Sequence, residues 1–204
     1  MDLKDTYNTI LKPTEEVLFK DKNSKFFGYA YPVTTEDEVK NHLAILKKQH
    51  HSARHWCYAY QIGTESIVYR ANDDGEPSNS AGQPIYGQIQ SFEITNVLIV
   101  VVRYFGGVKL GVGGLINAYR SAAQLALENA KIIERTININ YVITFEYKNM
   151  NKVMRIIKEK QLNIISQVLE LNCKIEFSVR KNDSQPIFDL FKNLYEIKIK
   201  KIND

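Results

Sequence analysis

Asn96–Leu115 reads NVLIVVVRYFGGVKLGVGGL, and the fold turns on it. Val97–Val102 is apolar at every position. A half-buried strand alternates apolar and polar residues, so an unbroken run predicts a central strand covered on both faces. Behind it come five of the chain's ten glycines: Gly106, Gly107, Gly111, Gly113 and Gly114. Leu115, Ala118, Tyr119, Ala122, Leu125 and Ala126 then recur at helical spacing and predict a helix ending near Lys131. A glycine-rich corner therefore joins a buried strand to an amphipathic helix.

Glycine reaches positive φ without steric cost and lets another backbone or a ligand come close. A loop entering a helix also presents free N–H groups and the positive end of the helix dipole, a setting that attracts anions. Arg103 and Lys109 flank the corner, and Arg120 lies further along the helix. A phosphate or a nucleic-acid backbone fits that description; so does a corner packed tightly for structural reasons alone. Known phosphate motifs do not match. A Walker A loop needs Lys where Val112 stands, and a dinucleotide fingerprint starting at Gly111 ends on Ile116 instead of glycine.

Working outward, residues 15–31 read as a strand pair around the turn Asp21–Ser24. Thr35 and Glu38 form a capping box before a helix through about Lys48. WCYAYQIG and SIVYRAND are strands around Gly63–Thr64, and Gln83–Phe92 has helical spacing with Pro84 in its first turn. From Arg135 the pattern changes. ININYVITFEY is a strand and NKVMRIIKEKQ a helix. ISQV and the alternating stretch Leu169–Val179 make two strands turning near Asn172. Ser184 caps a short helix with Pro186 in its first turn, and IKIKKI closes as a basic strand. That order, β-α-β-β-α-β, is the ferredoxin-like arrangement. The expected fold is α+β in two domains: residues 1–135, a mixed sheet with two or three helices, and residues 136–204.

Composition fits a folded chain: 204 residues, 44% hydrophobic and 25% charged. The N-terminal stretch carries no apolar export signal, and no apolar run approaches the roughly 20 residues a membrane span needs. Two distant cysteines, Cys57 and Cys173, argue against a disulfide framework and for a cytoplasmic location. Residues 1–135 carry 15 basic and 15 acidic side chains, and residues 136–204 carry 12 and 8, so the net charge of 12 − 8 = +4 is C-terminal. Such an excess suits an acidic partner such as RNA, and equally a solvated lysine-rich surface.

Two further clusters could carry chemistry. The turn Asn72-Asp73-Asp74-Gly75-Glu76-Pro77 holds carboxylates close enough for a cation or an acid/base pair, or it is a turn with Asx-type capping. It is not an EF-hand, because Arg70 and Ala81 fall where ligands belong. His50, His51, His55 and Cys57 look metal-like, but His55 and Cys57 without a second pair make a poor zinc site. Cys57 with His55 as its base is a nucleophile reading; a simply buried cysteine is the alternative.

HWCYAY (His55–Tyr60), RANDDGEPSNSAGQPI (Arg70–Ile85), NVLIVVVRYFGGVKLGVGGL and the following AYRSAA together resemble the IMPACT/YigZ family, across most of residues 15–130. The second block resembles the C-terminal domain of its bacterial YigZ branch in pattern only. The resemblance implies an N-terminal domain similar to domain IV of elongation factor G and a ferredoxin-like C-terminal domain. It also implies a link to translation. The eukaryotic members restrain a stress kinase of translation initiation by competing for its activator, and the bacterial ones are suspected nucleic-acid or ribosome binders. Carried over by position, the shared surface comprises His55, Arg70, Asp73, Asp74, Gly75, Glu76, Arg103, Gly106, Gly107, Lys109, Gly111, Gly113 and Gly114. Trp56, Asn79-Ser80, Val112 and Asn117 depart from the family's usual His, Gly-Thr, Thr and Arg.

The functional expectation is a non-enzymatic, translation-linked binder of RNA, the ribosome or an acidic translation-associated protein, with no cofactor, no metal and no membrane contact. Its anion-binding or partner-binding residues are Arg103, Gly106, Gly107, Lys109, Gly111, Gly113, Gly114 and Arg120, with Arg103 and Lys109 facing outward. A polar cluster comprises His55, Arg70, Asp73, Asp74 and Glu76. The alternatives are a hydrolase acting on a phosphate-bearing substrate with that cluster, and a pure protein-interaction module.

Overall fold

Val97–Val102 is fully buried in the computed structural model, which describes residues 5–202. It lies in strand β6 (Val97–Tyr104), the middle strand of a five-stranded sheet. The other strands are β2 (Val17–Asp21), β3 (Ser24–Pro32), β4 (His55–Ile62) and β5 (Val68–Asn72), in the order β2-β3-β6-β4-β5 with antiparallel neighbours throughout, so the sheet is not the mixed one expected. Period-2 geometry explains the unbroken apolar run. Val97, Ile99 and Val101 enter one core, and Leu98, Val100 and Val102 enter another on the opposite face. Six fully buried aliphatic side chains contribute on the order of 10 kcal/mol of gross stabilisation.

Helices α2 (Gly82–Ser91) and α3 (Gly111–Glu128) share the first core with the sheet. Helix α1 (Glu36–Gln49) covers the second. The capping box at its start is formed as the sequence predicts, with Thr35 accepting from the Glu38 N–H and the Glu38 carboxylate accepting from the Thr35 N–H. Two strands were not foreseen. β1 (Thr6–Ile10) and β7 (Ile132–Thr136) pair in a two-stranded sheet. Accordingly α3 ends at Glu128, before Lys131, and the chain re-enters extended structure.

Tyr7–Arg135 form one unit. The other comprises the described residues from Thr136 onward together with Asp5 and Thr6. Asp5 and Thr6 therefore group with the second unit and not with residues 7–135. The Ile137 N–H donates to the Asp5 carbonyl at 2.7 Å, and Arg180 grips the Asp5 carboxylate through Nε at 2.5 Å and Nη2 at 3.0 Å. That bidentate pair holds the Asp5 carboxyl below the usual carboxylate range.

The second unit follows the expected element order: β8 (Asn138–Glu146), α4 (Met150–Glu159), β9 (Asn163–Val168), β10 (Asn172–Arg180), α5 (Lys181–Lys192) and β11 (Ile197–Lys201). Its sheet runs β11-β8-β10-β9, antiparallel throughout. Ile139, Tyr141, Ile143 and Phe145 of β8 and Cys173, Ile175, Phe177 and Val179 of β10 build the core with both helices. Two boundaries differ from expectation. The β9–β10 connection falls at residues 169–171, so Asn172 opens β10. Helix α5 begins at Lys181, and Ser184 does not cap it; its hydroxyl donates to the Lys181 carbonyl at 2.7 Å, and Pro186 lies inside the helix. Among the described residues no helix is long and apolar enough to cross a membrane.

Candidate functional site

At one end of the first unit's sheet, Phe26, Arg103 and His55 are cross-strand neighbours on β3, β6 and β4. Arg103 points into the α2/α3 side, because it continues the Val97, Ile99, Val101 face. There its Nη1 donates to Glu76 Oε1 at 2.7 Å, with the two side chains only 7% and 5% exposed. The Tyr119 hydroxyl, from α3, donates to the same oxygen at 2.7 Å. Burial pushes the Tyr119 phenol up, so it stays protonated and serves as a donor. A buried ion pair leans on its partners: removing one member strands a charge at a cost of about 3–5 kcal/mol.

The rest of the acidic turn is also engaged. Asp73 accepts from the N–H groups of Asn79 (2.9 Å), Ala81 (3.0 Å) and Gly82 (2.8 Å), which places a carboxylate at the start of α2, where amides lack intrahelical partners and the dipole favours negative charge. Asp74 accepts from the Trp56 N–H at 2.8 Å, and its carbonyl accepts from His55 Nδ1 at 2.9 Å. The Cys57 thiol donates to the Asp73 carbonyl at 2.9 Å. Three consecutive residues of β4 thus staple the turn to the sheet. Burial pushes the Cys57 thiol up, with the nearby carboxylates adding to the effect, which favours the buried thiol over the thiolate a nucleophile needs.

The glycine corner contrasts with this. Gly107, Val108, Lys109, Gly111, Val112 and Gly113 are exposed, and Leu110 and Leu115 turn inward as anchors. Gly106 fastens the corner to the β2–β3 turn: its N–H donates to Ser24 Oγ at 3.1 Å, and a Cβ there would meet the Asn23 backbone at 2.1 Å. Gly111 opens α3 at φ +73°, a left-handed value that suits glycine. No side chain caps α3, and its first turn carries no acidic residue. Lys109 and Arg120 are exposed.

The sequence-predicted residues are therefore sorted anew. Lys109, Gly107, Gly111, Gly113 and Arg120 are open to solvent, and Gly106 and Gly114 are half-buried. Arg103 does not face outward: the apolar environment on the α2/α3 side admits it only because Glu76 is there to pair with. His55, Asp73, Asp74 and Glu76 do come together, but Arg70 does not join them. Its cross-strand neighbour is Tyr60, which faces the α1 side. His50 also lies on that side, buried between Tyr29 (Nε2 to hydroxyl, 2.5 Å) and Tyr104 (Nδ1 to hydroxyl, 3.1 Å), away from His55 and Cys57. Among the described residues no group of three His, Cys, Asp or Glu side chains could hold a metal ion. Tyr119 was missed as a polar participant. It reads as one more apolar position of the α3 stripe, and the only hint is that a buried tyrosine hydroxyl needs a partner.

The family model for the Impact N-terminal domain matches residues 22–127. The IMPACT family member YvyE of Bacillus subtilis is 32% identical over 179 residues, covering 88% of this chain and 82% of that protein. An IMPACT family member of Haemophilus influenzae is 33% identical over 169 residues, 79% and 81% of the two chains. A solved structure described as a hypothetical protein superposes with a TM-score of 0.74 over 99% of this chain and 100% of its own, at 23% identity, so the fold is shared along the whole length.

Proposed function

This chain belongs to the IMPACT family, and from that premise we propose a non-enzymatic, translation-linked binding protein that docks an oxyanion-bearing partner at its glycine corner. The observation that carries the proposal is the contrast at α3: a helix start with neither a side-chain cap nor an acidic first turn, on an exposed loop beside Lys109. Free first-turn amides and a cation suit a negative group. The link to translation follows from the family resemblance. The second unit adds its C-terminal excess of charge, 12 basic against 8 acidic side chains in residues 136–204, as sequence-independent affinity for the ribosome or its RNA.

A hydrolase needs carboxylates free to ligate a metal or move protons. Here Asp73 and Asp74 are committed to main-chain amides and Glu76 to Arg103 and Tyr119, which supports binding over catalysis. The test is co-sedimentation with ribosomes at rising salt. The expected result is association that weakens as salt rises and disappears in Lys109→Glu. Salt-insensitive co-sedimentation, unchanged by that substitution, would overturn the proposal.

A further inference from the structure

Arg103 is 7% exposed yet uses little of its hydrogen-bonding capacity. Glu76 takes Nη1, and Nε, itself buried, has no partner among the described residues. In a guanidinium, Nε–H and one N–H of Nη2 point the same way and match the two oxygens of a carboxylate. Arg180 shows that edge at work in the same molecule, with Nε and Nη2 each donating to one oxygen of Asp5. In Arg103 the Nε half of that edge has no hydrogen-bond partner among the described residues. A buried, unpaired donor on a charged group calls for an explanation, and an absent acceptor supplies one.

Two rings flank the Arg103 guanidinium. Phe26 is 5.5 Å from Cζ and fully buried; Phe105 is 5.6 Å away and 58% exposed. Of the two rings, Phe105 is the one at the surface, and its exposure leaves it room to turn. The corner that begins there also exposes Val108 (46%) and Val112 (53%), and the space over Gly107, Gly111 and Gly113 is open to another backbone.

Charge selects the occupant. Glu76 already balances Arg103, so a dianionic phosphate would meet a neutral pair and a carboxylate beside it. A carboxylate brings one charge and two coplanar oxygens. A phosphodiester also brings one charge, but its sugars leave Val108 and Val112 without apolar partners. Residues 1–135, with 15 basic and 15 acidic side chains, exert little long-range pull on a polyanion. Exposed apolar groups beside an unused polar anchor are the anatomy of a protein interface.

We infer that the corner docks a polypeptide segment, seating an Asp or Glu carboxylate on the Nε/Nη2 edge of Arg103 once Phe105 swings away, with flanking apolar side chains on Val108 and Val112. The inference rests on the binding reading of the corner and names its ligand.

The test follows the arginine Nε–H and valine methyl resonances of the isotope-labelled full chain. The probes are an end-capped Leu-Glu-Leu peptide, its Leu-Gln-Leu counterpart, inorganic phosphate and a short oligouridylate. The expected result is a saturable shift of the Arg103 Nε–H and of the Val108 and Val112 methyls with Leu-Glu-Leu, and binding about tenfold weaker with Leu-Gln-Leu. Arg103→Lys risks unfolding a buried pair, so the companion variant is Val108→Asp on the surface, expected to weaken the peptide about tenfold. Equal binding of both peptides, or no effect of Val108→Asp, overturns the inference. A response at the corner to phosphate or oligouridylate alone overturns it too, but leaves the broader binding proposal standing. Silence from every probe overturns the inference and leaves the broader proposal to the co-sedimentation test.

Discussion

The acidic turn and the glycine corner both border the first unit's sheet, one rich in charge and the other in glycine, and they meet opposite fates. Asp73, Asp74 and Glu76 are spent on main-chain amides, Arg103 and Tyr119, so the turn is part of the scaffold. The corner holds itself by Gly106, Leu110 and Leu115 and leaves the rest of its backbone facing water. A dense run of charge therefore marked internal bracing, and a run without side chains marked the open surface. The reason is hydrogen-bond economy. Carboxylates near orphan amides are drawn in to satisfy them, whereas glycine offers nothing to draw in.

The largest effect that could break this contrast is Glu76→Gln. It leaves the Arg103 charge buried without its counter-ion and should destabilise the first unit by about 3–5 kcal/mol, read as a shift of its urea transition. A loss below about 1 kcal/mol would mean the pair is not bracing the fold. Asp73→Ala comes next. Two N–H groups at the start of α2 and one in the loop before it lose their acceptor, and a cost of about 1–2 kcal/mol is expected in the same measurement.

A smaller effect belongs to Cys57. Because its folded-state pKa is raised, the unfolded thiol ionises first, near 9.0. The associated stability is complete below that pH and is lost as pH rises above it. Stability measured across the alkaline range should decline there, and Cys57→Ala should flatten the first part of the decline. An unchanged slope would show that the thiol is not shielded. The smallest effect lies in the corner itself. A Cβ on Gly113 meets open space within α3, so Gly113→Ala should leave thermal stability within about 0.5 kcal/mol of the parent or raise it slightly. A loss beyond about 1 kcal/mol would mean the corner is packed after all.

Much of the frame was legible in advance. Val97–Val102 announced a doubly covered strand because burial on both faces removes alternation, and the Thr35–Glu38 capping box announced α1 because its four residues interact among themselves. The second unit's element order followed from local periodicity. β1 and β7 were not legible, since strand pairing across more than a hundred residues leaves little local mark. The start of α5 was misplaced because Ser184 and Pro186 mimic a helix start while Arg180 occupies the true one.

The site divides in the same way. His55, Asp73, Asp74 and Glu76 lie close in the chain or on adjoining strands, and they do gather. Arg103 carried no sign that it would turn inward, because a charge in a sequence does not name its partner. What the sequence determined by itself was the central strand, the glycine-rich corner and the family, all written in short-range pattern. Only the tertiary structure decided which cation is buried, which carboxylate neutralises it and which nitrogen of the guanidinium is left without a partner among the described residues. Those depend on desolvation and on contacts between residues far apart in the chain, and neither exists until the sheet and its helices close over them.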